Sequence, residues 1–369
     1  MFIMNSFKVN INPEIIKWSM ETVNMPEDVI IKKLGINKNK LGKWINKEDK
    51  PTYVQLQKFA KIVNVSPLIF LSNKIPDDRP MNVFRTYNNA KEKSYKTLLK
   101  IKRIKFLQDI TVELYNNLNI SKEAYIEQYD INADPGEIAV NERKKFYDFD
   151  YQMNLKDKYD ALNKFRAKVE DNNIIVMQFP FDDIRGFSLI DKKPFFIALN
   201  SKDDPASRIF TLFHEYAHIL LRKNESNHED NYNIDDKIEE WCNNFASYFL
   251  ISDEIIKNFY NKHDSTDSFV KSISHKYKLS YSMIFYRLYK LGYIKNYEYE
   301  YNKFIKSKKI DKKTLGGNYI RNIRSEYGNK FINIVNENYE KNEITLNDAL
   351  RYLSVKINTF YKLIEMVNQ

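Results

Sequence analysis

The chain has 369 residues, about two to three times an ordinary domain, so two or three folding units are expected, each large enough to bury its own core. With 43% hydrophobic, 14% aromatic and 29% charged residues but only 8 Gly and 10 Pro, the composition excludes a mainly disordered, collagen-like or loop-dominated protein and favours helix. The net charge of +10, from 59 basic and 49 acidic residues, suits a nucleic acid, an anionic membrane surface or an acidic protein partner, and a genome-wide lysine bias explains it equally well. Its location along the chain has to decide.

Residues 11 to 71 carry a compact helical pattern. Asn12 is an N-cap with Pro13 at the first helical position, and Ile15, Ile16, Met20 and Val23 share one face. A second helix opens with Glu27 and Asp28 at the positive end of its dipole and stops at Gly35, a residue suited to a left-handed cap. The third runs from Asn37 to Asn46, pinned inward by Leu41, Trp44 and Ile45, and a fourth starts at Pro51. Helix, glycine turn, helix is the outline of a helix-turn-helix, whose second helix enters the major groove of double-stranded DNA. Here that helix offers Asn37, Lys38, Asn39, Lys40 and Lys43 to base edges and phosphates. Residues 1–75 hold 12 Lys against 6 acidic residues, a surplus of +6, so more than half the net charge lies in about one fifth of the chain. A helix-turn-helix turned protein-interaction module, with lysines on a solvated face, accounts for the same pattern. Since one copy is evident, tight specific binding calls for a homodimer or a second element. Residues 344–363, whose helix, short turn, helix outline echoes the N-terminal unit, are the nearest thing to one.

Residues 76–165 read as a charged helical connector. The period then changes: 174–179, 187–190 and 195–199 are short β-rich runs separated by turn residues, which predicts a small sheet. Helices are expected at about 205 to 222 and 235 to 251, and residues 253–369 read as further helices with one break at Gly316 and Gly317. The expected class is mainly α with a small sheet (α+β). Its expected parts are 1–75, 76–165, 166–255 and 256–369. The lone Cys242, the absence of a signal-peptide pattern after Met1 and the lack of a long apolar run point to a reducing cytoplasm and to no membrane.

The most informative stretch is His214-Glu215-Tyr216-Ala217-His218. Four helical residues turn about 400°, so His214 and His218 project from one face and can chelate one metal. Glu215 beside them can take a proton from a metal-bound water and pass it to a leaving amine. Two histidines packed in a core helix are the plainer reading, but they would put two polar rings on a stripe of Phe210, Phe213, Ala217 and Leu221. A hydrolytic zinc (Zn2+) site needs a third protein ligand and an open position. On the helix that follows, Glu239 borders the apolar face of Ile238, Cys242, Phe245, Ala246 and Phe249 and is the favoured ligand, with Glu240, about 100° away, as the alternative. Asn243, one turn after Glu239, is placed to hold a metal histidine from outside. Cys242 is a soft-ligand candidate that periodicity assigns to the core.

The stretch from Phe210 to Leu221, followed by Glu239 to Ala246, resembles the ImmA/IrrE family of zinc metallopeptidases. Arg185 to Leu189, Ala198 to Ser201 and Arg208 are similar to that family too, residues from Lys313 to Tyr319 resemble a C-terminal extension of its long members, and residues 11 to 71 resemble an Xre-type helix-turn-helix. The likeness covers most of the chain and is weakest between about 90 and 150. It implies a gluzincin-like core, His214, His218 and Glu239 as zinc ligands, and Glu215 as catalytic acid and base. One departure is Leu250-Ile251-Ser252, where many relatives close the helix with proline. Such peptidases are expected to bind an extended substrate along a sheet edge, here Arg185, Gly186, Phe187 and Ser188, although these residues also suit an ordinary core strand. An electrophile for the oxyanion is expected as well, with His228, His263, His275 and several tyrosines as unplaced candidates. The resemblance therefore implies a DNA-binding regulator that cleaves a partner protein, a repressor or toxin–antitoxin component. Two rivals are a regulator or antitoxin whose metallopeptidase-like domain senses or binds without turnover, and a housekeeping peptidase that uses its basic unit to dock acidic substrates.

Overall fold

The computed structural model of the chain describes residues 7–75, 85–86, 93–222, 232–307 and 318–368. Helices dominate and one small sheet is present, the α+β class expected. The loop holding His228 and the break at Gly316 and Gly317 lie outside the described residues. The chain divides into two compact units, one of Met1–Asn82, Thr86–Phe106 and Phe181–Ile184, the other of Val83–Arg85, Leu107–Pro180 and Arg185–Gln369.

The first unit contains α1 (Pro13–Glu21), α2 (Glu27–Leu34), α3 (Lys38–Ile45), α4 (Tyr53–Val63), a 3-10 turn at Pro67–Leu71 and the start of α5 (Tyr95–Asn117). Side chains satisfy the helix ends. The Asn12 side chain accepts from the Glu14 N–H at 3.1 Å, Asn37 from the Lys40 N–H at 2.8 Å, and Thr52 with Gln55 forms a capping box. That box is why α4 begins two residues after Pro51. Gly35 adopts φ 73°, a left-handed conformation that costs glycine nothing, and Lys58 Nζ donates to the Leu34 carbonyl at 2.7 Å to close α2. Ile15, Ile16, Val23, Ile30, Leu41, Trp44 and Phe59 fill the core, while Met20 and Ile45 are only half-buried at its margin.

Beyond β1 (Arg85–Thr86), the second unit runs α6 (Pro135–Arg143), α7 (Phe149–Asn154), α8 (Lys158–Asp171), β2 (Ile175–Phe179), β3 (Ile184–Leu189), β4 (Phe196–Asn200), α9 (Pro205–Leu221) and α10 (Tyr232–Leu250). It continues with α11 (Asp253–Tyr260), α12 (Thr266–Tyr277), α13 (Tyr281–Lys290), α14 (Tyr297–Ser307), α15 (Tyr319–Glu340), α16 (Leu346–Tyr352) and α17 (Ile357–Asn368). The strand order is β1-β3-β4-β2, with β4 parallel to β2 (Ile175 opposite Phe196) and antiparallel to β3 (Gly186 opposite Leu199). The strand expected at the edge is therefore second in the order, bordered by the two-residue β1, and Phe187 and Ser188 are buried. A two-residue strand is too short to leave an alternating pattern, which is why the sequence does not announce it.

Gly186 sets how closely α9 approaches the sheet. A Cβ there would lie 2.6 Å from Thr211 Cγ2 and 2.8 Å from the Ala198 carbonyl oxygen, so only glycine lets the helix rest on β3 at this point. Gly328 plays the corresponding part in α15. Its φ of 80° and ψ of 156° kink the helix, and a Cβ would collide with the Arg166 guanidinium, which donates to the carbonyls of Val176 on β2 and Ser325 on α15.

Candidate metal centre

Asp204 caps α9 by accepting from the Ala206 N–H at 3.0 Å, and Pro205 takes the first helical position. Almost every side chain of α9 is buried, His214, Glu215 and His218 included. Helix α10 runs antiparallel to it, as the contacts show: Phe213 stacks on Phe249 with centroids 4.0 Å apart, Tyr216 meets Phe245 at 6.2 Å, and His218 meets Glu239. This aromatic ladder fixes the register of α10 and hence which residue faces the histidines. Tyr216 also donates to the buried Glu142 of α6 at 2.9 Å, and Trp241 Nε1 donates to the carbonyl of Ala133, just before α6, at 2.8 Å, so both helices are tied to residues 133–142.

Three candidate ligand atoms converge. His218 Nε2 lies 2.9 Å from Glu239 Oε1 and 3.2 Å from His214 Nε2, and His214 Nε2 lies 3.4 Å from Glu239 Oε2. The histidine side chains are 0% and 6% exposed and that of Glu239 is 23% exposed, which marks the open side of the site. Burial opposes the charge of Glu239, yet the charges and hydrogen bonds of His214 and His218 hold its carboxyl well below the usual range. At His218 burial opposes the cation, but the Cys242 thiol and the Glu239 carboxylate outweigh it and raise the imidazole well above its ordinary value. His218 and Glu239 thus stabilise each other's charged forms. Two imidazole nitrogens and a carboxylate, buried on three sides, are the donor set and ligand count of a hydrolytic zinc site.

The structure separates Glu239 from Glu240. Glu240 faces outward, 61% exposed, and accepts from Lys290 Nζ at 2.8 Å. The residue of α10 hydrogen-bonded to His218 is Glu239, at 2.9 Å; Asn243 makes no hydrogen bond to either histidine, and the buried Cys242 lies beside His218 with its thiol pushed up in pKa by that burial. Periodicity places Cys242 on the inner face, but only the register of the α9–α10 pair reveals that this face meets His218. Of the other histidines, His263 contacts the Phe259 carbonyl at 2.9 Å and His275 is exposed on α12; neither joins the cluster.

Helix α10 ends at Leu250 without a proline. The Phe249 carbonyl accepts from Arg143 at 3.4 Å, the Leu250 carbonyl accepts from Gln152 at 3.4 Å, and Ser252 caps α11 by accepting from the Ile255 N–H at 3.3 Å. Arg143 is buried among Phe149, Phe165 and Phe249, with the guanidinium 4.5, 5.4 and 5.3 Å from the ring centroids, and burial lowers its pKa to about 9. Side chains of α6 and α7 thus bind the last carbonyls of α10.

Residues 167–289 match the family model of the IrrE N-terminal-like domain, Peptidase_M78. The match runs from within α8 through the sheet and the α9–α10 pair into α13, and it makes this segment metallopeptidase-like. No curated protein matches the chain. Among the described residues no helix is long and apolar enough to cross a membrane.

On α3, Asn37, Lys38, Asn39 and Lys43 are exposed and Lys40 is half-buried. Lys38 Nζ stands 3.9 Å from Glu27, and the Asn37 side-chain oxygen is engaged in capping the helix.

Proposed function

We propose that the protein is a cytoplasmic DNA-binding regulator with a zinc-dependent endopeptidase domain that cleaves a partner regulatory protein, a repressor or toxin–antitoxin component. The observation that carries the reading is the convergence of His214, His218 and Glu239 at 2.9 to 3.4 Å with Glu215 buried on the same helix. Zinc held there would act as a Lewis acid on a peptide carbonyl and lower the pKa of water. Glu215 accepts a proton from the attacking water and returns it to the leaving amine, while the buried walls of α9 and α10 keep bulk water out. The buried Cys242, beside His218 on α10, is the candidate for positioning that imidazole.

Support for the DNA reading is the +6 surplus of residues 1–75 and the exposed amides and lysines at the start of α3. A homodimer would present two such helices to one duplex.

The decisive experiment incubates the full-length protein with the products of its neighbouring genes and looks for fragments that depend on zinc. Glu215→Gln is expected to keep zinc bound and to abolish cleavage; fragments formed by that variant at the wild-type rate would falsify the catalytic assignment. Zinc retention without fragments from any partner would instead favour a metal-bound sensor that does not turn over.

A further inference from the structure

The likeness of residues 344–363 to the N-terminal helix pair becomes residue-specific in three dimensions. A constant shift of 319 positions aligns α2 and α3 with α16 and α17. The N-cap of the first helix falls at Pro26 and Thr345. The left-handed residue that ends it falls at Gly35, φ 73°, and Ser354, φ 51°. In both, the next N–H reaches back to the same carbonyl: Ile36 donates to Ile31 at 3.3 Å and Val355 donates to Leu350 at 3.0 Å. Buried positions also coincide, Ile30 with Ala349, Leu34 with Leu353, Leu41 with Phe360 and Trp44 with Leu363. The helix before each pair follows suit, with Ile15 and Ile16 aligned to Ile334 and Val335 of α15.

The outward face decides what such a pair does. The exposed positions Asn37, Lys38, Asn39 and Lys43 of the first pair align with Lys356, Ile357, Asn358 and Lys362, all exposed as well. Two of the four carry the same residue type in both, Asn39 with Asn358 and Lys43 with Lys362. A control lies within the chain. Helices α12 and α13 are joined by the same turn, with Lys278 at φ 59° and the Leu279 N–H donating to Ser274 at 3.1 Å. Yet α13 buries Met283, Ile284, Phe285, Arg287 and Leu288 and retains no broad face for a groove, whereas Phe360 and Leu363 are the buried residues of α17. Turn geometry alone is therefore not the signal; the broad solvated face is, which on α17 carries Asn358 and Lys362 together with the exposed Ile357 and Tyr361.

We propose that α17 is a second DNA-reading helix that enters the major groove of a duplex, with Asn358 at a base edge and Lys356 and Lys362 on phosphates. An Asn amide pairs with adenine, a Lys ammonium with phosphate, and the 45%-exposed Ile357 suits a thymine methyl. Residues 344–368 carry three basic and two acidic side chains, so α17 adds sequence preference more than bulk attraction. The inference stands on the surface of α17 and does not require α3 to bind DNA.

The test uses the full-length chain. Duplexes of about 30 base pairs with a randomised centre are selected on the protein, and anisotropy of the enriched duplex is followed between about 50 and 200 mM salt. N358A/K362A is expected to lose about tenfold in affinity and to flatten the salt slope by about one, with an unchanged unfolding midpoint, and K362R alone keeps the wild-type slope. Equal affinity and slope for wild type and N358A/K362A overturn the proposal, as does a full-length chain that enriches no duplex. The matched variant N39A/K43A separates the two readings: a loss there with none at α17 removes this inference and leaves DNA binding by the first unit, and the reverse leaves this one standing.

Discussion

The pair α9–α10, of 17 and 19 residues, and the pair α2–α3, of 8 each, place their informative polar residues on opposite sides. Helix α9 turns His214, Glu215 and His218 inward, where each is buried; α3 turns Asn37, Lys38, Asn39 and Lys43 outward, where they are exposed. At the first site two buried imidazoles and the Glu239 carboxylate converge within 3.4 Å, a donor set that a cation would join. Exposed lysines and amides cost the fold almost nothing, so stability says nothing about their purpose and only binding measurements do.

The largest expected effect follows from the buried side of that contrast. Glu215→Gln should lower turnover by about 10^2- to 10^4-fold, the range for loss of a general acid–base group, with about one zinc per chain retained. The neighbouring exposed carboxylate is the control: Glu240→Gln breaks the ion pair with Lys290, outside the ligand cluster, and should leave zinc content and turnover unchanged. A loss of zinc in Glu240→Gln but not in Glu239→Ala would reverse the ligand assignment.

Next in size is the brace behind the site. Arg143→Ala removes a buried cation from three aromatic rings and leaves the Phe249 and Asp148 carbonyls and the Gln152 side-chain oxygen without their donor, at a cost of about 3 kcal/mol in the free energy of urea unfolding. A shift below about 0.5 kcal/mol would mean that α10 ends without help from α6. Smaller again is Cys242→Ala, which should weaken zinc binding by about 10- to 100-fold while keeping the stoichiometry, because it frees His218 without deleting a ligand. Zinc affinity equal to wild type would make Cys242 plain core.

How much of this was legible in the sequence depends on how local each feature is. His214, Glu215 and His218 lie within one turn and a half of one helix, so their shared face follows from helical geometry, and the caps at Asn12, Asn37 and Gly35 are equally local. The ligand on α10 needed more. Periodicity favours Glu239, but the removal of Glu240 depends on Lys290, fifty residues further on. Asn243 was the expected support for a histidine; Cys242 lies there instead because the stacking of Phe213 on Phe249 sets the rotation of α10, a contact no spacing rule contains. Arg143 and β1 were illegible for the same reason, one acting across more than a hundred residues and the other two residues long.

The smallest predicted effect sharpens the exposed side of the comparison. Asn37 and Asn39 look equivalent as base readers, but the Asn37 side-chain oxygen already accepts the Lys40 N–H at 2.8 Å as the α3 cap. An adenine needs both the oxygen and the amide nitrogen of the reading side chain, so that pairing falls to Asn39. Asn37→Ser keeps a capping oxygen and should change stability by less than about 0.5 kcal/mol and duplex affinity by less than about threefold, whereas Asn39→Ala should cost about tenfold on the selected duplex. If Asn37→Ser instead costs as much as Asn39→Ala, the cap opens on binding and the free geometry of α3 is not its bound one.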